Sequence, residues 1–141
     1  MTTSSLLPTG AAQPATTLHN QPSPDYALHL QQARDTLRAA VAEFGSAQIT
    51  QANSLGAEDV VLHHLIEQDE LGIASFVLQT GQLHPETLEL LEHVVQTSRV
   101  PVNVLEPVQE QAVAFVQREG ANAMYQSIAL RKACCQIRKM E

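Results

Sequence analysis

"IASFVLQTGQLHPET", residues 73–87, decides the fold. Ile73 to Thr80 is an apolar, partly β-branched run, short enough for a buried strand. Gly81 then permits a tight turn, Pro85 has the fixed φ that suits the first residue of a helix, and Glu86 falls in its first turn. The same succession recurs on both sides. "AQITQAN" (47–53) predicts a short strand, "SLGAED" (54–59) a turn, and "VVLHHLIEQ" (60–68) a helix. The helix beginning at Pro85 is expected to carry Leu88, Leu91 and Val95 on one face. "VPVNVLEP" (100–107) then reads as a third strand between prolines. Val108, Ala112, Phe115 and Val116 set a further helix ending near Gly120, and the chain from about Tyr125 is helical in composition. Upstream, Leu30, Ala33, Leu37, Val41 and Phe44 keep helical spacing until Gly45. Strands alternating with such helices imply crossover units, so the expected class is α/β with a parallel sheet and flanking helices. Three strands make a small doubly wound sheet whose edge needs covering, so the chain reads as the first part of something larger, truncated at its C-terminal side.

The 141 residues suffice for one domain, and 44% of them are hydrophobic, which argues against global disorder. The net charge of −7 argues against nucleic acid as a general partner. Its distribution is uneven. Residues 1–130 hold four Lys or Arg against 14 Asp or Glu, whereas residues 131–141 hold Arg131, Lys132, Arg138 and Lys139 against Glu141 alone. An acidic body with a basic tail suggests a local anion site, although cations near a helix C-terminus are also favoured by the helix dipole. No apolar run approaches the ~20 residues that span a bilayer. Residues 1–24 carry four of the seven prolines and no charge, and read as a disordered leader rather than a secretory signal. The domain is expected over 25–141, in the cytoplasm, where thiols stay reduced.

Two loops stand where ligands of open α/β sheets bind, beyond the carboxyl ends of strands and at helix N-termini. In the first, Ser54 offers a hydroxyl, Gly56 would let a backbone approach an anion, and Glu58 and Asp59 open the helix. The same residue types suit any strand–turn–helix join, and two carboxylates beside an anion site carry an electrostatic cost. In the second, Thr80 to Thr87, Gly81 makes the turn and His84 is either an anion donor or a capping residue. His63 and His64, adjacent on a helix, cannot share a face and do not suggest a metal pair.

The only two cysteines, Cys134 and Cys135, are neighbours within the basic tail. A disulfide between them is disfavoured, because adjacent Cα atoms lie about 3.8 Å apart and bridged pairs usually about 4.4–6.8 Å. Buried structural thiols and an incomplete metal site stay open as alternatives. Cations favour the thiolate that ligates metals, yet zinc and iron–sulfur sites want four ligands and no partner stands beside these two.

Taken together, "SLGAEDVVL" (54–62), "FVLQTGQLHPET" (76–87) and "CCQIRKME" (134–141), in that order, resemble the assimilatory adenylyl-sulfate and phosphoadenylyl-sulfate reductases. The resemblance covers roughly residues 45–141 and implies the adenine-nucleotide α-hydrolase-like fold. It implies reduction of an adenylated sulfate to sulfite with electrons from thioredoxin, in sulfate assimilation. A cysteine near the family's C-terminus attacks the sulfur, forming a thiosulfonate and releasing AMP or its 3′-phosphorylated form. The branch with a Cys-Cys pair carries a [4Fe-4S] cluster held by that pair and a later Cys-x-x-Cys, and Cys134 and Cys135 match the first two ligands. Ser54 and Gly56 match the phosphosulfate-side loop, with Glu58 and Asp59 at its helix start. Leu78 lies on the strand whose end lines the adenosine pocket, and Gly81 begins the turn. Lys139 matches a lysine expected near both cluster and substrate anion, and Arg131 and Arg138 are the remaining cations of the motif. Gln79 and Gln82 depart from the Asp and Arg the family commonly shows. The remaining cluster ligands and the nucleophile are expected beyond Glu141, leaving residues 1–141 an inactive fragment with an incomplete cluster site. The alternative is a non-catalytic adenine-nucleotide-binding module of the same fold. The cysteine pair argues against a third reading, an adenylating ligase or a sulfurylase subunit. Self-association stays open.

Overall fold

The computed structural model describes Thr17 and residues 20–140. The expected leader, 1–24, therefore lies mostly outside the described residues. The chain divides into two units, Met1–Ala33 and Arg34–Glu141. In the first, the described residues enter helix α1 (Tyr26–Phe44), with the Tyr26 N–H bonded to the Ser23 carbonyl at 3.0 Å. The second contains the sheet: β1 (Thr50–Ala52), α2 (Ala57–Gln68), β2 (Ala74–Leu78), α3 (Pro85–Thr97), β3 (Val102–Leu105), α4 (Gln109–Glu119) and α5 (Ile128–Lys139). Gly45, at φ 78°, ends α1 as its sequence suggests.

The three strands are parallel in the order β1–β2–β3. β2 is central and alternates in burial: Ser75 and Val77 are fully enclosed, while Ala74, Phe76 and Leu78 are half-buried. β3 is an edge, and Val104 and Leu105 are exposed. Val77 packs with Leu55, Leu91 and Val94, against which Leu90 and Val102 lean. A second cluster joins Phe115 of α4, Ala123 and Cys134 of α5.

Three local expectations need correction. The strand expected over 47–53 is confined to Thr50–Ala52, because Ser46–Gln48, too polar to pair, forms a 3₁₀ turn. Helix α2 begins at Ala57, so Glu58 and Asp59 lie in its first turn, where the helix dipole favours them. On α3 the buried residues are Leu91 and Val94, whereas Leu88 and Val95 are exposed. The apolar face is centred between those two, so the Leu88–Leu91–Val95 line grazes the core edge.

Asp69, which ends α2, accepts from Arg34 and from Arg38 (2.8 Å to Oδ2) with only 6% of its side chain exposed. It ties residues of α1 to the end of α2. Removing one partner of an enclosed ion pair strands the others. Asp69→Asn should lower unfolding free energy by about 1–3 kcal/mol in urea titrations, with Arg38→Ala losing less because Arg38 is half exposed.

Candidate functional site

The carboxyl ends of β1 and β2 open into a cleft of about 290 Å³ lined by Ala52, Asn53, Ser54, Asp59, Phe76, Leu78, Thr80, Leu83 and Lys139. It has an apolar floor of Phe76, Leu78 and Leu83 and a polar rim bearing one carboxylate and one ammonium. Four residues singled out from the sequence meet here: Ser54, Asp59, Leu78 and Lys139.

The β1–α2 loop reaches this shape through its own side chains. The Ser54 N–H donates to Asp59 Oδ2 at 2.7 Å, the Leu55 N–H to Asn53 Oδ1 at 2.8 Å, and the Gly56 N–H to Ser54 Oγ at 3.2 Å. Asp59, which from the sequence looked an electrostatic cost, is thus a structural acceptor. Hydrogen bonds from the Ser54 side chain and backbone hold its carboxyl below the usual carboxylate range. The backbone strain falls not on Gly56, whose φ is −68°, but on Leu55 at φ +64°, an uncommon conformation for a branched side chain. A Cβ on Gly56 would lie 2.9 Å from a carboxylate oxygen at the far end of the exposed Glu58 side chain, which can swing aside, so space alone does not demand glycine there. Glu58 itself stands outside the cleft. The N–H groups of Ala57, Glu58 and Asp59 head the helix, where no intrahelical acceptor exists for them.

The β2–α3 loop turns at Gly81, φ +72°, whose N–H donates to Gln79 Oε1 at 2.5 Å. His84 occupies the N-cap position of α3, exposed and without a side-chain capping bond. Arg138 crosses from α5, and its Nη1 donates to the Thr80 carbonyl at 2.6 Å. Arg138 and Gly81 line a second cleft of about 250 Å³ with Gln82 and residues of α4, and Arg138 and Lys139 share a third with Leu105 and Glu106. Arg131 lines none of these. Its Nε donates to the Met124 carbonyl at 3.3 Å.

The two thiols diverge. Cys134 is buried against Phe115 and Ala123, with Met124, Leu130, Ala133 and Ile137 around them, whereas Cys135 is exposed. Among the described residues no group of three or more His, Cys, Asp or Glu converges to hold a metal. As donors for an iron–sulfur cluster the pair has the right chemistry, with one thiol at the surface, and amounts to half of a four-thiolate set. His63, buried on α2, faces Gln51 Oε1 at 3.3 Å and Ser98 Oγ at 3.2 Å, consistent with a structural role rather than a metal pair with His64.

Asn53 and Phe76 were not singled out from the sequence as site residues, and Thr80 and Leu83 only as members of the loop over 80–87. The rule that ligands sit past strand carboxyl ends, applied along the 76–78–80 alternation, was the available signal.

The fold and the sequence have counterparts among known proteins. The phosphoadenosine phosphosulfate reductase domain family matches residues 48–141. An adenosine 5′-phosphosulfate reductase of Burkholderia cepacia is 38% identical over 109 residues, covering 76% of this chain and 44% of that protein. The enzyme of the same name from Allochromatium vinosum is 41% identical over 90 residues, 64% of this chain and 35% of its own length. A crystal structure of phosphoadenylyl-sulfate reductase from Candida auris, in a phosphate complex, superposes with TM-score 0.60 at 18% identity, covering 85% of this chain and 60% of that one. It shares the fold. The chain belongs to the phosphoadenosine phosphosulfate reductase domain family, and it spans less than half the length of these two curated relatives.

The Asp59 geometry has a consequence in acid. A carboxylate whose folded pKa lies below its unfolded value stabilises the fold above the unfolded value, near 3.8, and that contribution is lost as pH falls through the folded one. Glu67 acts in the same direction. Burial pushes it up, but bonds from the Arg99 N–H (2.6 Å) and Ser98, with the charges of His63 and Arg99, leave it below its ordinary value. Thermal melts between pH 5 and pH 2 should show Asp59→Asn losing less stability on acidification than the wild type.

Proposed function

We propose that this chain forms the nucleotide-binding part of a sulfonucleotide reductase, holding adenylyl sulfate or phosphoadenylyl sulfate in the cleft between β1 and β2. The observation that carries the reading is the meeting of an apolar floor, the Ser54–Asp59 loop and Lys139 in one cleft at the sheet's carboxyl end. An adenine would lie against Phe76, Leu78 and Leu83. The phosphosulfate would face Ser54, the first-turn N–H groups of α2 and the Lys139 ammonium, whose charge it complements. Gly56, Glu58 and Gly81 serve by shaping the two loops around the ligand rather than by touching it, and Arg131 stays with Met124 on the far part of α5.

Cys134 and Cys135 would supply two thiolates to a [4Fe-4S] cluster, which in the whole enzyme would contribute a charged iron–sulfur centre. The remaining ligands are not among residues 1–141, which contain no other cysteine. The nucleophilic thiol is likewise absent once these two are ligands. The whole enzyme reduces the bound sulfonate to sulfite with thioredoxin as donor, in the cytoplasm, and residues 1–141 alone bind without turning over. Among the described residues no helix is long and apolar enough to cross a membrane.

Isothermal titration with adenosine 5′-monophosphate and with adenylyl sulfate tests the reading. Binding of both is expected, with Lys139→Ala weakening adenylyl sulfate about tenfold, the size of one charge-assisted bond. No heat or shift with either nucleotide at millimolar concentration would sink it. Sulfite release by these 141 residues with reduced thioredoxin would overturn the division of labour.

A further inference from the structure

We infer that Arg138 is a positioning residue: it latches the last turn of α5 to the Thr80 carbonyl and so holds Lys139 at the cleft. The inference rests on the cleft being the nucleotide site. Arg138 and Lys139 are successive residues on a helix, about 100° apart around its axis, and although both border the third cleft, each also reaches one that the other does not. Lys139 lines the cleft between β1 and β2, and Arg138 does not. Arg138 instead crosses to the β2–α3 loop and donates from Nη1 to the carbonyl of Thr80, itself a cleft residue, at 2.6 Å. Among the described residues this is the one polar bond between the α5 side chains and that loop; the others on α5 are the Ser127 cap and the Arg131–Met124 bond.

The receiving loop is built to admit the guanidinium. A Cβ on Gly81 would lie 3.2 Å from Arg138 Nη1, and Gly81 has φ +72°, so both space and backbone favour glycine there. The fit is not one that stability alone would select. Arg138 Nε is buried with no hydrogen-bond partner, which is unfavourable for the fold. Along α5, Leu130, Ala133, Cys134 and Ile137 pack around Phe115 and Ala123. That packing makes no polar bond to the β2–α3 loop, and the latch supplies one at the final turn, where Lys139 stands.

A double-mutant cycle separates this role from direct ligand contact. Arg138→Met keeps the aliphatic stem and the helix propensity while removing the donor. Arg138→Met, Lys139→Ala and the double variant are titrated with adenylyl sulfate, and their thermal midpoints are recorded. Each single change should weaken binding about tenfold, and the double should be no weaker than Lys139→Ala within about twofold, because Arg138 acts through Lys139. Arg138→Lys, which can still donate to Thr80, should recover most of the loss. An additive double variant, about a hundredfold weaker, would mean that Arg138 touches the ligand itself and would overturn the latch. Wild-type affinity in Arg138→Met would overturn it as well. A ligand-free readout keeps the two failures apart: the Thr80 carbonyl ¹³C resonance should move upfield in Arg138→Met and stay in place in Lys139→Ala. If wild type binds no nucleotide, the functional reading fails, while an unmoved Thr80 resonance overturns the latch whatever the binding result.

Discussion

Strand β2 is hydrogen-bonded along both edges, to β1 in the register Ala52–Phe76 and to β3 in the register Leu78–Leu105. The ladders run one residue past the strands, with the Asn53 N–H on the Phe76 carbonyl and the Gln79 N–H on the Leu105 carbonyl, each at 2.9 Å. Because all three strands are parallel, their carboxyl ends must emerge on one side, and the loops at 53–59 and 79–84 open together. That convergence makes a cleft out of two loops far apart in sequence. The inner face of β2, Ser75 and Val77, is committed to the core, so Phe76 and Leu78 on the other face can floor a binding site without weakening the packing beneath it.

The loops differ in how they are held. The β1–α2 loop is preorganised internally, since Asn53, Ser54 and Asp59 consume the N–H groups of residues 54 to 56. Leu55 is held at a costly φ by its bond to Asn53 and by burial beside Val77. The Ser54 hydroxyl is likewise engaged, with Asp59 and with the Gly56 N–H, so what such a loop can offer an anion is the first-turn amides of α2, not a cradle of backbone N–H groups. The β2–α3 loop adds to its internal bonds, from the Gly81 N–H to Gln79 Oε1 and the Gln82 N–H to Thr80 Oγ1, a hold from outside by Arg138.

Periodicity made the alternation of strands and helices legible, because long apolar repeats such as Ala112–Phe115 and the run Ile73–Thr80 have few alternatives. Its limits were local. "AQITQAN" has no pattern that separates the 3₁₀ turn from the strand, and the α3 face could not be centred to better than one residue without knowing what it packs on. The site was legible where family motifs are dense, at Ser54, Asp59, Leu78 and Lys139. Asn53, Phe76 and Leu83 were not, because their convergence depends on strand register. Composition likewise marked the basic tail but could not divide its labour: Arg131 serves Met124, Arg138 serves Thr80, and Lys139 faces the cleft. The cysteines split in the same way, since neighbours on one helix cannot both point inward, and Cys134 takes the core while Cys135 stays at the surface.

Gln79 and Gln82 stand where the resemblance leads one to expect an acid and an arginine, and the geometry gives the first a physical meaning. An acid at position 79 would accept the Gly81 N–H as Gln79 Oε1 does, so the turn needs an acceptor there and not a charge. Gln79 follows Leu78 and precedes Thr80, both on the cleft wall, but does not itself line the cleft, and its side chain is engaged by the Gly81 N–H. The neutral amide therefore keeps the turn without adding a charge beside it. Gln82 makes no comparable bond through its side chain. Its N–H reaches Thr80 Oγ1 at 3.4 Å while the side chain borders the second cleft beside Arg138, which leaves Arg138 as the cation of that cleft.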